Sequence, residues 1–224
     1  MKITNEGWAI VERDSHLGRW VEEHKRLDFD QNALPQMLPY VKGCVAIDIG
    51  ANIGCYSYAF SQVADYVFCF EPNYESFECL QHNLGSLKNT VLINTALSDK
   101  SMPYDVVMDN DNIGMAYIKT FESDKVCRYT TTIDLFFEKH ESDILFIKID
   151  VEGYELHVLK GGEQTINKFK PVMVIEINDH TLKRTNTTRE EIFQWLTDHG
   201  YTFRNIYAEQ GLQDEQLDII CFPS

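Results

Sequence analysis

A chain of 224 residues, 44% hydrophobic and 25% charged, has the make-up of one globular domain with ample material for a core. Its net charge of −15 and pI near 4.8 weigh against a nucleic-acid substrate, because an acidic surface repels phosphate backbones. No apolar run approaches the roughly 20 residues a membrane helix needs, and the first residues carry no signal-peptide core, so no membrane span is expected. The six cysteines are scattered without a Cys-x-x-Cys pair, which points to a reduced, cytoplasmic protein without a zinc site.

Residues 1–43 read as an N-terminal helical extension, a packing flap or a lid, ahead of a main domain over residues 44–224. In Ser15-His-Leu-Gly-Arg-Trp-Val-Glu-Glu, Leu17, Trp20 and Val21 fall on one side of a short amphipathic helix. As a lid, this segment would touch a ligand through His16 or Trp20. Asp30 is placed to cap a second helix carrying Ala33, Leu34, Met37 and Leu38, with Pro35 in its first turn, where proline is tolerated.

From Val45 strands and helices alternate. The apolar run Val45–Ile49 predicts a strand, and a helix over Asn52–Val63 puts Ile53, Tyr56 and Phe60 on one face. Tyr66–Phe70 is the next strand, ending in Glu71-Pro72, and a helix from about Tyr74 to Leu87 spaces Phe77, Leu80, Leu84 and Leu87 along one side. Val91–Asn94 is a third strand. Tyr104–Met108 and Met115–Ile118 then predict a hairpin around Asp109-Asn-Asp-Asn-Ile-Gly114. That segment is a turn rather than a calcium loop, since Ile113 stands where a ligand is wanted and Thr120 where a glutamate is required.

A helix over Thr132–His140 turns Ile133, Phe136 and Phe137 inward, and the fourth strand, Ile144–Ile149, runs straight into Asp150-Val-Glu-Gly-Tyr-Glu155. The helix that follows carries Leu156 and Leu159 and stops at Gly161-Gly162, with a short extra turn over Glu163–Phe169. Val172–Ile177 is the fifth strand, with Glu176 inside it and Asn178-Asp-His180 after it. Thr188-x-x-Glu191 is a capping box that opens another helix. The last strands, Tyr201–Ile206 and Leu217–Phe222, are joined by a loop too short for a crossover helix, so they must be antiparallel. Strands apolar on both faces with helices between them make a mostly parallel α/β sheet.

In such a sheet the ligand lies beyond the carboxyl ends of the strands, where Asp48, Glu71, Ala96 to Asp99, Asp150, Glu152, Glu176 and His180 gather. The turn after Asp48 contains Gly50, Asn52 and Gly54, a spacing that is neither the dinucleotide Gly-x-Gly-x-x-Gly nor a phosphate loop. An acid at the strand end repels pyrophosphate and suits a ligand with an amine and a ribose. Glu71 lies about twenty residues further on, where a carboxylate accepts both ribose hydroxyls. Lys148, inside an apolar strand, needs a partner; Glu176 at matching depth on the fifth strand predicts a partly buried ion pair beside the pocket.

Asp48-Ile-Gly-Ala-Asn-Ile-Gly54, Glu71-Pro72, Asn94-Thr-Ala-Leu-Ser-Asp99 and Ile147-Lys-Ile-Asp-Val-Glu-Gly-Tyr-Glu155 resemble, in this order over residues 44 to about 178, the FkbM family of S-adenosylmethionine-dependent methyltransferases. The resemblance implies a Rossmann-like class I methyltransferase fold: a seven-stranded, mostly parallel sheet of order 3-2-1-4-5-7-6, last strand antiparallel, with helices on both faces. It also implies S-adenosylmethionine as cofactor and O-methyl transfer to a hydroxyl of a sugar, glycan or other small molecule. Carried over by position, Gly50, Ala51 and Asn52 line the methionine portion, Glu71 holds the ribose, Pro72 and Asn73 lie near the adenine, and Ala96 and Leu97 flank its other face. Asp48 supports the loop or reaches the cofactor's amine.

A hydroxyl nucleophile needs its proton removed, and Asp150, Glu152 and His180 are the candidate bases. Asp150 and Glu152 follow the central strand where the methyl group points, which sets Asp150 beside both cofactor and acceptor. Either acts directly or holds a divalent metal that acidifies the hydroxyl. Three alternatives stand beside this: a nicotinamide-dependent oxidoreductase, against which the missing Gly-x-Gly-x-x-Gly counts; a cofactor-binding module without turnover; and a nucleic-acid methyltransferase, disfavoured by the charge and by the lack of an Asn/Asp-Pro-Pro-Tyr motif.

Overall fold

The computed structural model describes residues 1–30, 32–108, 112–121, 128–207 and 214–224. It opens with a two-stranded ribbon, β1 (Lys2–Ile3) and β2 (Ala9–Ile10), followed by helices α1 (Leu17–His24) and α2 (Leu34–Val41). Next come β3 (Val45–Ile49), α3 (Cys55–Ser61), β4 (Tyr66–Phe70), α4 (Tyr74–Leu84) and β5 (Thr90–Ile93). A second ribbon, β6 (Tyr104–Val107) and β7 (Tyr117–Thr120), precedes α5 (Ile133–Phe136) and β8 (Ile144–Ile149). The chain finishes with α6 (Glu155–Gly161), α7 (Glu163–Phe169), β9 (Val172–Asn178), α8 (Asp179–Leu182), α9 (Arg189–Asp198), β10 (Tyr201–Asn205) and β11 (Gln216–Pro223).

Seven of these strands form one sheet in the order β10-β11-β9-β8-β3-β4-β5. The strands from β9 to β5 are parallel, and β11 runs antiparallel to both its neighbours. Counted along the chain, these seven read 3-2-1-4-5-7-6. The order diverges on either side of the β3–β8 pair, so the loops leaving those two strands part and open a crevice.

Side-chain alternation gives the sheet two cores. Ala46 and Phe146 face one side with Val67, Val174 and Ile220, under α1 to α4; Val45, Ile47, Ile147, Ile149 and Ile175 face the other, under α5, α6, α7 and α9. The N-terminal segment belongs to the first core, through buried Ile10, Val21, Leu34 and Met37. Asn83 on α4 also pins it: its Oδ1 accepts from the Ala9 N–H at 2.7 Å and its Nδ2 donates to the Ala9 carbonyl at 3.0 Å.

Several helices differ from their predicted extent. α3 starts at Cys55 rather than Asn52, because Asn52 and Gly54 take left-handed φ of 51° and 99° that no helix continues. α5 is a single turn, and Phe136 is 39% exposed rather than inward. α6 stops at Gly161 with Gly162 as its cap, as expected, and the extra turn over Glu163–Phe169 is a full helix, α7. The turn at 109–114 lies partly outside the described residues, and so does Cys127; the other five cysteines are buried free thiols. Among the described residues no helix is long and apolar enough to cross a membrane.

Candidate functional site

A cavity of about 440 Å³ opens at the carboxyl ends of β3, β4 and β8. Its floor includes Gly50, Asn52, Glu71, Leu97 and Asp150, and its cover comes from Leu17 and Trp20 of the N-terminal segment and the stretch before β7. His16 lines it as well. At the base of the crevice the loops after β3 and β8 nearly touch before they part. Gly50 has φ +85°, and a Cβ on it would lie 1.7 Å from the Asp150 carbonyl oxygen, so only glycine lets the loop after β3 pass the loop after β8 this closely.

The loop's N–H groups are already committed. Gly50 and Ala51 donate to the Phe70 carbonyl at 2.9 and 3.0 Å, and Asn52 donates to Glu71 Oε2 at 2.8 Å. These bonds lock the loop to β4, and the group left without a protein partner is Asn52 Oδ1, a buried acceptor. Glu71 accepts the Asn73 N–H at 2.7 Å through its other oxygen, which fixes the carboxylate at the end of β4. Burial pushes its pKa up to about 7 against those two N–H donors. Each oxygen keeps a second lone pair.

Pro72, Ala96 and Leu97 line the cavity, whereas Asn73 and Asp48 do not. Asn73 is buried as the cap of α4, accepting from the Glu75 N–H at 3.1 Å. Asp48, fully buried, accepts the Ser57 hydroxyl at 2.5 Å and lies 3.9 Å from Lys148 Nζ. Of its two expected roles, then, Asp48 has the supporting one: it ties β3 to α3 beneath the loop.

The acids beyond β8 and β9 converge, though not as the predicted ion pair. Register pairs Lys148 with Val174 and Ile149 with Ile175, so Glu176 is level with Asp150, one step too far for Lys148. Lys148 Nζ donates to Asp150 Oδ2 at 2.9 Å instead and sits 4.6 Å over the Tyr56 ring. Burial pushes Asp150 up, but the Lys148 charge and hydrogen bonds from Glu176 and Lys148 outweigh it and hold Asp150 below the usual range. Burial and the negative charge of Asp150 drive Glu176 well above it. The two acids therefore titrate as a pair, with the Lys148 charge favouring ionisation at Asp150.

Glu152 holds φ +55°, a strained position for a non-glycine residue. Arg184 fixes it, donating to its carbonyl at 3.0 Å and to Oε2 at 3.3 Å, while stacking 4.3 Å over Tyr117. Burial and the neighbouring Asp150 push Glu152 up to about 8, which Arg184 partly offsets. Glu155 braces the same turn from below, accepting from Gly153 at 3.0 Å and Val151 at 3.2 Å. Oxygens of Asp150, Glu152 and Glu176 lie within 4.8 Å of one another, close enough to hold one divalent cation. His180 is exposed on α8 and lines neither this cavity nor the smaller one adjoining it, so it stands apart from the acids.

Sequence reading missed Arg184, Asp30 and Asp218. Arg184 carries no local motif, and the other two reach the site only through the N-terminal segment and the sheet register.

This doubly wound sheet, with its antiparallel last strand and a carboxylate closing the second parallel strand beside the crevice, is the class I methyltransferase fold. Residues 48–203 match the profile of the Methyltransferase FkbM domain, and the chain belongs to that family. Over 137 residues it is 29% identical to the hexuronic acid methyltransferase AglP of Haloferax volcanii, covering 57% of this chain and 53% of AglP, so it spans about half the length of that relative. A methyltransferase FkbM from Methylobacillus flagellatus superposes with TM-score 0.51 at 17% identity, covering 81% of this chain and 44% of that one. A Streptococcus mutans protein of this fold in complex with SAH gives 0.53 at 10% identity, covering 87% and 99%. An rRNA methylase from Streptococcus thermophilus gives 0.52 at 10%, covering 85% and 93%.

Proposed function

We propose that the chain is an S-adenosylmethionine-dependent O-methyltransferase acting on a hydroxyl of a sugar or other small molecule. The observation that carries this reading is one cavity holding both the fixed Glu71 carboxylate and the Asp150–Glu152 acids. The residues fit the cofactor: the second lone pairs of Glu71 accept two ribose hydroxyls, the orphan Asn52 Oδ1 accepts an amine N–H, and Ala96 and Leu97 offer an apolar surface for the adenine. When bound, the cofactor supplies its methyl group as an electrophile on a sulfonium.

Glu152 acts as the base. A carboxylate poised near 8 takes the acceptor's hydroxyl proton as the oxygen forms its bond to carbon, and Arg184 holds the acid in line. Asp150, kept ionised by Lys148, orients the hydroxyl. The close approach of Asp150, Glu152 and Glu176 supports a second route, in which a divalent ion lowers the hydroxyl's pKa. The charge of −15 favours a small acceptor over a phosphate backbone. The 29% identity to a hexuronic acid methyltransferase points toward sugars.

Titration calorimetry with S-adenosylmethionine, S-adenosylhomocysteine and NAD tests the reading. The first two are expected to bind and NAD is not; binding of NAD alone overturns it.

A further inference from the structure

A smaller chamber of about 200 Å³ adjoins the main cavity, and the two share Phe29, Tyr56, Lys148, Asp150 and Glu176. It lies on the β9–β11 side of the site, away from Glu71 and Ala96, and so beyond the end of the cavity where the acids of the reaction stand. Its charge is one-sided. Asp218 pairs in register with Glu176, so Asp150, Glu176 and Asp218 form a row across β8, β9 and β11, and Asp30 faces them from the N-terminal segment. Lys148 is already committed to Asp150 at 2.9 Å and Asp48 at 3.9 Å. Among the described residues, no basic side chain comes within 4.0 Å of Asp30, Glu176 or Asp218.

The rest of the wall is aromatic or apolar. Phe29, Tyr56 and Tyr207 line it, the Tyr56 ring already carrying a cation, Lys148 Nζ, at 4.6 Å; Met37 and Val174 complete the lining, and both tyrosine hydroxyls donate to Asp30, Tyr56 at 3.1 Å. Carboxylates among ring faces match a protonated amine, which gains from both. A hard divalent ion wants six or more oxygens and water, and the only described acid cluster tight enough to hold one omits Asp218 and Asp30. A carboxylate-bearing sugar would bring a further acid to a row of carboxyls whose one cation, Lys148, is already engaged.

We propose that this side chamber seats the acceptor and holds its protonated amine against Glu176 and Asp218, making the acceptor an amine-bearing sugar or alcohol rather than a uronate. The proposal rests on the methyl-transfer reading and narrows its substrate class. Asp218 is then a specificity residue, presenting charge to the acceptor while Glu152 and Asp150 serve the reacting hydroxyl.

The test titrates the methyl glycosides of glucosamine, glucose and glucuronic acid into the protein saturated with S-adenosylhomocysteine. The amino glycoside is expected to bind at least about tenfold tighter than the neutral one and the uronate weakest, a difference the size of one charge-assisted contact. Asp218→Asn is expected to erase that preference while S-adenosylhomocysteine binds unchanged. An amino glycoside that binds no tighter than the neutral one, a uronate that binds best, or a preference that survives Asp218→Asn overturns the proposal. Loss of S-adenosylhomocysteine binding would instead remove the methyltransferase reading, and the glycosides titrated alone would still test the chamber.

Discussion

Lys148 Nζ donates to Asp150 Oδ2 at 2.9 Å, two residues along its own chain, and leaves Glu176 on the adjacent strand to bond Asp150 from the other side. One cation therefore serves two acids, Asp150 at the site and Asp48 beneath it, whose side chain is 1% exposed. Removing the cation strands buried negative charge. Lys148→Met is expected to cost about 3–5 kcal/mol in urea unfolding. Combining it with Asp48→Asn removes the deeper acid, which burial already pushes above its usual range against the Lys148 charge, and the double variant is expected to regain at least about 1 kcal/mol. A double variant no more stable than Lys148→Met would show that Asp48 does not depend on this ammonium.

Glu152 as base sets a pH profile. The base must be unprotonated to work, so kcat is expected to rise with pH through about 8, the value to which burial and Asp150 push this acid. Arg184 favours the ionised form at 3.3 Å, so Arg184→Met moves that rising limb to higher pH. Glu152→Gln lowers kcat by about a hundredfold or more with cofactor affinity unchanged. A limb that stays in place in Arg184→Met would dissociate it from Glu152.

The strands were legible because the central parallel strands β3, β8 and β9 are mostly buried and read as apolar runs, and the crevice followed from the strand order. Partner choice was not. Lys148 and Glu176 sit equally deep in their own strands, but the β8–β9 register offsets them by two residues, and no single-strand pattern encodes register. Asp48 is read as a binding residue because strand ends usually are; its side chain points to the α3 face and bonds Ser57. His180 looked like a base from its chemistry, and only its exposure sets it apart from the acids. Asp30 lies 26 residues before Tyr56, whose hydroxyl it accepts, a contact that follows from where the N-terminal segment folds back.

Glu71 carries the cofactor prediction. Its oxygens already order the Asn52 and Asn73 N–H groups, so the carboxylate is fixed before any ligand arrives. Glu71→Ala is expected to weaken S-adenosylhomocysteine binding at least about tenfold, and by more if both ribose hydroxyls are lost. Glu71→Gln keeps the shape but turns an amide NH2 toward one of those backbone donors, so it is expected to fall between. Thermal unfolding of each variant separates lost binding from a lost loop. Affinity unchanged in Glu71→Ala excludes the ribose role.

The buried acids also make stability depend on pH in an unusual direction. Burial raises Glu71, Glu155 and Asp218 to about 7 and Glu152 to about 8, from ordinary values of 4.5 for the glutamates and 3.8 for the aspartate. Between those unfolded values and pH 7–8 the folded chain holds protons that the unfolded chain has released. The stability these groups contribute is therefore fully present below about pH 4 and is lost as pH rises through 7–8. His157 opposes them, because burial lowers its pKa from 6.5 and the fold resists its protonation in acid, but it is one group against these four and the likewise raised Glu176 and Asp48. Asp150, held low, matters only below its ordinary range. The ligand-free protein is expected to melt at least about 3 °C higher at pH 5.5 than at pH 8.5, the equivalent of about 1 kcal/mol or more for a chain this long. Asp218→Asn removes one of the four and is expected to narrow that gap. A melting temperature that climbs from pH 5.5 to 8.5 would mean that these carboxyls ionise in the fold as they do in water.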